Sequence, residues 1–290
     1  MLSPIRMFGG KTRLAPWIIG WFPEHRTYLE PFAGSAAVFF AKPPAPVEIL
    51  NDVDGDLMHF YRVLRDPDLF PEFVRRAALT PYHRGEYREA RSDPPKTDPI
   101  DRALSWWIVA RQSVSGYQAM QDCGWSYCVT EDTGGVSASV ARWLAAIARL
   151  PEAHARLRRV QIECDDWETV LERYNRPQTL VYVDPPYVPE TRRGGTYRYE
   201  LTVADHARLV QRLLGWQGPA VLSGYASSVY QPLEAHGWHR LARHVQSSAA
   251  VDRHGDQDRE ECLWISPVGR YQQVHLWDLE PRAANATGAE

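Results

Sequence analysis

Cysteine is scarce in this chain, which has four cysteines among its 290 residues. No two of them form a Cys-x-x-Cys pair, the spacing that structural zinc sites commonly use. A disulfide framework is not expected either, because such frameworks stabilise chains much shorter than this one. The cysteine pattern therefore predicts no metal site, and it favours a reducing cytoplasm as the location of the protein.

Long apolar runs are also missing. The apolar stretch at residues 14–22 is short and contains Pro16 and Gly20. A transmembrane helix needs about 20 apolar residues, and a signal peptide needs an uninterrupted apolar segment. The stretch is therefore predicted to be part of a core helix, and no association with a membrane is expected.

An excess of basic charge is absent as well. The 33 Lys and Arg residues are balanced by 36 Asp and Glu residues, which gives a net charge of −3. This balance argues only weakly against nucleic acid as a partner, because acidic and basic residues can occupy different faces. Arginines cluster at residues 75–91, 156–159 and 192–198, and each cluster alone is most simply a solvated surface.

The first third of the chain has the pattern of a nucleotide-binding α/β fold. A short predicted strand at residues 27–32 runs into a glycine turn at 33–36, and a second predicted strand at 47–50 ends in Asn51 and Asp52. An apolar stripe with helical spacing follows at Leu57, Phe60, Tyr61 and Leu64. Strand, glycine turn, helix, strand and acid in this order are typical of Rossmann-like folds.

The same rhythm returns in the second half of the chain. Strands are predicted at residues 160–163, 180–183, 220–222 and 262–265, and Thr202 is predicted to cap a helix between two of them. The fold class predicted from this pattern is α/β, with a mostly parallel twisted sheet flanked by helices.

An inserted module is expected between the two halves. Phe32 and Asp184 are too far apart for the three successive βα units, of about 30 residues each, that would otherwise separate them. We expect residues 1–66 and 149–279 to form the core, and residues 67–148 to form a largely helical insert. The small, polar residues 280–290 are predicted to be a disordered tail.

Residues 184–187 carry the strongest chemical signal. They follow an apolar strand directly, at the place where open α/β sheets bind their ligands, and they are Asp184, Pro185, Pro186 and Tyr187. The prolines fix the backbone and remove two N–H donors, which leaves a carboxylate, carbonyl acceptors and an aromatic ring. Two acceptors can hold both hydrogens of an amino group on a planar ring and direct the nitrogen lone pair toward a methyl group. Neither a metal nor a nucleophilic side chain is then required.

Simpler interpretations exist for these acidic segments. A bare motif at residues 184–187 could be a rigid turn that only ends a strand. The acids at residues 52–56 resemble the start of a calcium loop, but Gly55 is at position four instead of six, and Val63 stands at position twelve in place of glutamate. We therefore reject the calcium loop.

Several short motifs occur in a characteristic order along the chain. The main ones lie at residues 9–11 (GGK), 30–36 (EPFAGSA), 51–52 (ND) and 184–187 (DPPY), and weaker ones lie at 166–167, 222–225 and 259–264. This order resembles the alpha arrangement of the Dam-like adenine-N6 DNA methyltransferases, over about residues 5–268. Ala36 stands where that family usually has glycine, and a methyl group there is expected to narrow the turn.

The resemblance implies a core that binds S-adenosyl-L-methionine. It places the methionine part on the turn that begins at Phe32, a ribose hydroxyl on Asp52, and the adenine ring between Asp166 and Trp167. It directs Lys11 toward the carboxylate of the cofactor. The full set of cofactor-binding residues that it implies is Met7, Lys11, Pro31, Phe32, Gly34, Asp52, Asp166, Trp167 and Asp184.

The expected substrate is double-stranded DNA, from which the target adenine has to be flipped into the pocket at residues 184–187. A basic, aromatic segment follows that motif, and its Arg192, Arg193 and Tyr197 are candidates to hold the DNA. In the insert, Arg111 and Gln112 are candidates for contacts to base edges, because Arg and Gln pair bidentately with guanine and adenine.

Two other functions remain open at this stage. The same chemistry could act on cytosine N4, on adenine in RNA or on a side-chain amide, although amide methyltransferases usually begin the motif with asparagine. A non-catalytic DNA-binding relative could also keep the fold. The default expectation is a monomer in a bacterial or phage-infected cell, whose cognate restriction endonuclease, if one exists, need not bind it.

Overall fold

The structure is a computed structural model that describes residues 1–7, 9–92, 96–114, 116, 124–129, 132–192, 197–246 and 258–270. Its strands are β1 (Thr27–Glu30), β2 (Val47–Asn51), β3 (Asp132–Thr133), β4 (Val136–Ser137), β5 (Gln161–Glu163), β6 (Thr179–Val183), β7 (Ala220–Tyr225), β8 (His239–Gln246) and β9 (Asp258–Ile265). Strands β3 and β4 form a small hairpin, and the other seven form one sheet.

The strand order in the sheet is β5-β2-β1-β6-β7-β9-β8. The first five strands in this order run parallel, while β9 runs antiparallel to both β7 and β8. The predicted Rossmann-like α/β class is confirmed by this mostly parallel sheet. The chain builds outward from β1 to β5 and then returns to place β6 beside β1, so the order reverses between these two strands.

Helices cover both faces of the sheet. They are α1 (Ala15–Ile19), α2 (Ala37–Ala41), α3 (Gly55–Arg65), α4 (Phe70–Leu79), α5 (Arg84–Ser92), α6 (Pro99–Gln112), α7 (Ala138–Ala148), α8 (Leu150–Leu157), α9 (Trp167–Tyr174), α10 (Val203–Leu214), α11 (Gln231–Ala235) and α12 (Pro267–Arg270). The predicted cap at Thr202 is confirmed, because its hydroxyl accepts from the backbone N–H of Asp205, whose carboxylate accepts in return.

Successive side chains along each strand point to opposite faces of the sheet, and they divide the core into two apolar layers. Tyr28 and Leu180 pair in register and pack into one layer, while Leu29 and Val181 pair next to them and pack into the other. All five residues of β6 are buried, as expected for a parallel strand with helices on both of its faces. Burial of each of these large apolar side chains contributes about 1.5–3 kcal/mol to folding.

The segment predicted as an insert is largely helical and packs on α3. Trp107 of α6 is fully buried between Phe60 of α3 and Trp143 of α7, with ring centroids 6.4 and 4.7 Å away. Its indole N–H donates to the carbonyl of Pro4 at 3.0 Å, which ties α6 to the start of the chain. The division at residues 67–148 stays a prediction.

Some details differ from the sequence-based expectations. Strand β8 was not predicted, because its sequence HRLARHVQ is mostly polar and lies at the sheet edge, where Arg243 and His244 are exposed. Strand β9 begins at Asp258, four residues before the predicted start. The expected disorder of residues 280–290 lies outside the described residues. Among the residues described, no helix is long and apolar enough to cross a membrane.

Candidate active site

A cavity of about 530 Å³ lies at the carboxyl ends of β1 and β6. The strand order reverses between these two strands, and open α/β sheets bind ligands at such a point. Of the nine predicted cofactor residues, Pro31 is the only one that does not line this cavity; those that do are Met7, Lys11, Phe32, Gly34, Asp52, Asp166, Trp167 and Asp184. The structure therefore brings eight of the nine predicted cofactor residues together, and Asp184, which is also the predicted catalytic carboxylate, is among them.

The turn after β1 is held by an acid that follows β2. Gly34 has a positive φ of 46°, and its N–H donates to Oδ2 of Asp52 at 2.9 Å. The other oxygen of Asp52 accepts from the N–H of Asp54 at 3.0 Å. Burial raises the pKa of Asp52 to about 6, although these backbone donors oppose the shift. Pro31 takes part through its carbonyl, which accepts from the Asn51 amide at 2.9 Å.

Ala36 adopts the left-handed conformation, with φ 48° and ψ 35°. This conformation costs an L-residue with a Cβ about 1–2 kcal/mol, which is a physical reason for the glycine that the family resemblance predicts at this position. The side chain of Ala36 is fully buried in the apolar core and does not line the cavity. The substitution therefore bears on backbone strain and core packing, and its methyl group lies away from the pocket.

Two aromatic rings stand at one side of the cavity. The rings of Phe32 and Trp167 are 6.0 Å apart between centroids and tilted by 32°. Asp166 precedes Trp167 and caps α9, because its side chain accepts from the N–H of Glu168 at 2.9 Å. The cap fixes the start of α9 and with it the position of the Trp167 indole.

Asp184 is paired with a buried lysine. The ammonium of Lys11 lies 2.8 Å from Oδ1 of Asp184 and 3.7 Å from Oε1 of Glu261, and it donates to the carbonyl of Gly9 at 2.9 Å. Lys11 is 5% exposed, whereas the Asp184 side chain keeps 21% of its surface open. The carboxylate is thus held in place from the protein side and remains accessible from the cavity.

Glu261 completes this corner from strand β9. The Tyr187 hydroxyl donates to Glu261, and the ammonium of Lys11 lies 4.7 Å from the centre of the Tyr187 ring. The Tyr187 ring also meets Tyr225 edge-on, with centroids 4.7 Å apart. Tyr187 is 5% exposed, so its ring is fixed on several sides. Its predicted stacking on a target base stays a prediction.

The charges of this corner are strongly coupled. Burial raises the pKa of Asp184, and Lys11 acts in the opposite direction. Burial likewise raises the pKa of Glu261. Burial disfavours the charge on Lys11, but Asp184 and Glu261 together raise its pKa above the ordinary value. Two carboxylates therefore share one buried cation.

A second buried acid, Glu30, ends β1 and lines the same cavity. It is 2% exposed and accepts from the Tyr28 hydroxyl at 2.6 Å. Burial raises its pKa to about 8, so it is mostly protonated at neutral pH. A protonated carboxyl group beside Asp184 adds no negative charge to the corner.

Part of the segment that follows the DPPY motif lines the cavity. Residues 197–201 line it, and Arg198 forms ion pairs with Asp54 at 3.3 Å and with Asp56 at 2.8 Å. Arg192 pairs with Glu200 at 2.6 Å, and its side chain is 7% exposed. Arg193, the third residue predicted to hold DNA in this segment, lies outside the described residues.

The two predicted base-reading residues do not line the cavity. Gln112 is fully buried, and its Oε1 accepts from the indole N–H of Trp125 at 3.0 Å. Arg111 donates to the carbonyl of Arg142 at 3.0 Å. In this arrangement Gln112 offers no surface to a base edge.

Sequence reasoning missed the roles of Glu30 and Glu261. Glu30 stands inside a motif that was recognised, and Glu261 lies in the REECLW stretch noted near the end. A usable signal was an acid directly beside the apolar run of each strand, since a buried carboxyl group needs a partner. Within the described residues, no group of three or more His, Cys, Asp or Glu side chains is arranged to hold a metal ion.

Comparison with known proteins gives a consistent result. Residues 8–217 match the family model of the D12 class N6 adenine-specific DNA methyltransferases. The chain is 25% identical over 220 residues to a DNA N-6-adenine-methyltransferase of Escherichia phage P1, a match covering 73% of this chain and 28% of that protein. It is also 24% identical over 233 residues to the type II methyltransferase M.MjaIII of Methanocaldococcus jannaschii, covering 71% of this chain and 77% of the relative.

The chain thus spans less than a third of the length of the phage P1 relative and about three quarters of the archaeal one. The family match includes Lys11, the glycine turn and Asp184, and it ends before β7, β8 and β9. Because the match covers most of the chain, and because the sheet and the DPPY corner agree with it, the chain belongs to the D12 class N6 adenine-specific DNA methyltransferase family.

Proposed function

We propose that this protein transfers a methyl group from S-adenosyl-L-methionine to the N6 amino group of an adenine that has been flipped out of double-stranded DNA. One observation carries the proposal: Asp184 lines the same cavity as the Gly34 turn. A methyl donor resting on the turn and an amino group resting on Asp184 would therefore meet inside one cavity.

The residues of the cavity fit the proposed cofactor. Its volume of about 530 Å³ lies within the usual range of ligand pockets. Gly34 permits close approach of a ligand to the backbone, Asp52 offers acceptors for ribose hydroxyls, and Phe32 and Trp167 offer apolar faces for an adenine ring. When bound, S-adenosyl-L-methionine supplies an activated methyl group together with its own leaving group.

Lys11 has a different role in this proposal from the one that the family resemblance implies. Its ammonium is paired with Asp184 at 2.8 Å instead of facing open space. We assign it as a positioning residue that orients the catalytic carboxylate and keeps it ionised against the effect of burial. Glu261 extends this role by accepting from Tyr187 and lying 3.7 Å from Lys11.

The chemical step then depends on two acceptors. The Asp184 carboxylate accepts one N–H of the adenine amino group, and the Pro185 carbonyl accepts the other, which leaves the nitrogen lone pair directed into the cavity. Pro186 keeps this corner rigid. Positive charge develops on the amino nitrogen as its new C–N bond forms, and the Asp184 carboxylate stabilises that charge and is the nearest base for the released proton.

Extraction of the adenine requires contacts to the DNA. Unstacking costs a few kcal/mol, which phosphate contacts have to offset. We propose that the segment containing Tyr197 closes this side of the cavity and that the insert recognises the target. Since Arg192 is already paired with Glu200, its contribution is to hold that segment in place. One corner acts on one flipped base, so a monomer without a bound endonuclease is sufficient.

The experiment is transfer of a labelled methyl group from S-adenosyl-L-methionine to mixed-sequence duplex DNA, followed by digestion to nucleosides and mass analysis. We expect N6-methyladenine from the wild type and at least a 100-fold lower rate from Asp184→Asn, which keeps the shape and removes the charge. N4-methylcytosine, or a preference for RNA, would redirect the substrate assignment. No transfer by folded wild type that still binds DNA would favour a non-catalytic relative.

A further inference from the structure

Four arginines gather where the helical segment meets the start of the chain. Arg111 lies in the last turn of α6, Arg142 lies on α7, Arg149 follows α7, and Arg6 precedes Met7. The guanidinium of Arg111 donates to the backbone carbonyl of Arg142 at 3.0 Å, which fixes α6 against α7 at this point. We call these four residues the arginine cluster.

The arginine cluster lacks compensating acids in the part of the chain that the structure describes. No salt bridge there involves any of its members, although arginines elsewhere, such as Arg76, Arg156 and Arg198, each contact carboxylates. Burial and the positive charges of Arg6, Arg149 and Arg142 lower the pKa of Arg111 to about 10. Repulsion of this kind is relieved when an anion binds.

Arg111 also has an unused donor. Its Nε is buried and has no hydrogen-bond partner among the described atoms. A buried donor without a partner costs about 1–3 kcal/mol, and more when the group is charged. An oxygen-rich anion bound beside the guanidinium would accept a hydrogen bond from this Nε–H and would also balance the positive charge, as phosphate does when it binds arginine.

An aromatic and basic surface continues from the arginine cluster. The guanidinium of Arg84 lies 5.0 Å from the Trp125 ring and 5.6 Å from the Tyr127 ring, and Tyr82 packs on Trp125 with centroids 5.1 Å apart. Tyr127 is 66% exposed. Basic and aromatic side chains on one surface are typical of nucleic-acid contacts.

One member of the arginine cluster, Arg6, is next in sequence to Met7, which lines the cavity. The backbone of Gly116 is packed so closely that a Cβ there would lie 3.2 Å from the Cα of Met7, which lines the cavity, and 2.5 Å from the carbonyl oxygen of Arg6. The backbone at Arg6 and Met7 thus connects the arginine cluster to the edge of the cavity.

We propose that the arginine cluster of Arg6, Arg111, Arg142 and Arg149 binds a backbone phosphate of duplex DNA beside the flipped adenine. The proposal rests on the proposed function, because it takes DNA as the substrate. It assigns Arg111 as a residue that positions the duplex, in place of the base-reading role expected from the sequence. Phosphate contacts carry no sequence information, so the arginine cluster adds affinity equally on all target sequences.

The test is the salt dependence of binding to a fluorescent duplex, measured by anisotropy for the wild type, Arg142→Gln and Arg142→Gln/Arg149→Gln. Each lost phosphate contact lowers the slope of log K against log salt by about 0.9. We expect the double variant to lose about one unit of slope, with the same relative loss on unrelated sequences. Arg26→Gln is the matched control, because Arg26 is exposed at the amino end of β1, opposite the site.

Calorimetric binding of S-adenosyl-L-methionine serves as the measure of correct folding, and it should be unchanged in all variants. If the wild type methylates DNA and the arginine variants keep its salt slope, the phosphate-binding proposal is overturned and the proposed function is not affected. Loss of binding on some sequences only would also overturn it, in favour of base reading. If the substitutions abolish binding of inorganic phosphate but leave duplex binding unchanged, the cluster is a site for a free anion, and the proposal is likewise overturned. If the wild type neither binds nor methylates DNA, the proposed function itself is wrong.

Discussion

Replacement of Lys11 by methionine tests the charge arrangement of the catalytic corner. The substitution keeps an unbranched side chain of similar length in a buried position and removes the only cation seen to contact both Asp184 and Glu261 among the described residues. Burial then acts on Asp184 without opposition from Lys11, and the nearby Glu261 adds repulsion. The pKa of Asp184 therefore rises further above its ordinary value.

The size of this rise follows from the ion-pair distance. Two unit charges 2.8 Å apart interact by about 6 kcal/mol at an effective dielectric constant of about 20, which corresponds to an upper limit of about 4 pKa units. The Asp184 side chain is 21% exposed, and solvent screening reduces this figure. We expect the acidic limb of the pH–rate profile to move to higher pH by about 2 pH units.

The assay is single-turnover methyl transfer at saturating S-adenosyl-L-methionine and duplex DNA, followed across the neutral and alkaline range. Because the proposed reaction needs ionised Asp184, Lys11→Met should be slow at neutral pH and recover as pH rises. The matched control is Lys42→Met, which removes another buried lysine, 2.6 Å from Glu48, away from the cavity. It should lower stability without moving the limb. An acid limb of Lys11→Met that coincides with that of the wild type would refute the assigned role.

Three further predictions concern two residues that line the cavity, Glu30 and Asp52, and the buried Ala36 in the turn after β1. Glu30→Gln should raise the free energy of unfolding by at least about 1 kcal/mol at alkaline pH. The pKa of Glu30 in the folded protein is raised to about 8, so the wild type loses stability as pH rises toward that value, and the uncharged glutamine does not. If Glu30→Gln shifts the urea midpoint by the same amount at pH 5 and at pH 9, this prediction is contradicted. Asp52→Asn should weaken S-adenosyl-L-methionine binding about 10- to 100-fold by calorimetry, through loss of a charged acceptor, and an unchanged affinity would remove Asp52 from the site. Ala36→Gly should leave that affinity unchanged and alter the free energy of unfolding by less than about 1 kcal/mol, because relief of backbone strain offsets the lost methyl packing and the greater freedom of the unfolded chain. A clear loss of affinity would place Ala36 at the cofactor.

The buried strands could be predicted from the sequence because their apolar runs are unbroken. Strand β2 (Val47–Asn51) and strand β6 (Thr179–Val183) lie close to the predicted ranges, and Asp52 and Asp184 follow them as expected. In a parallel sheet, helices cover both faces of such strands, so nearly every residue of the strand is apolar and the run is visible in the sequence. The glycine turn, Asp52 and the DPPY motif could be placed for the same reason, since each follows a strand of this kind, whereas the GGK motif at residues 9–11 precedes the first strand.

The contacts that organise the corner could not be predicted in the same way. Tyr187 and Glu261 are 74 positions apart, and their pairing depends on the antiparallel placement of β9 beside β7. No local pattern specifies that register. Gln112 illustrates the opposite error, because a side chain able to read a base was expected to do so, whereas tertiary packing buries it against Trp125.

The corner draws Lys11 from the beginning of the chain, Asp184 from its middle and Glu261 from its last described strand. During synthesis, a nascent chain that has released Asp184 but still holds β9 in the ribosome would carry a Lys11–Asp184 pair without its third member. Under the proposed function, competence for methyl transfer would accordingly arise only after β9 has emerged, well after Asp184.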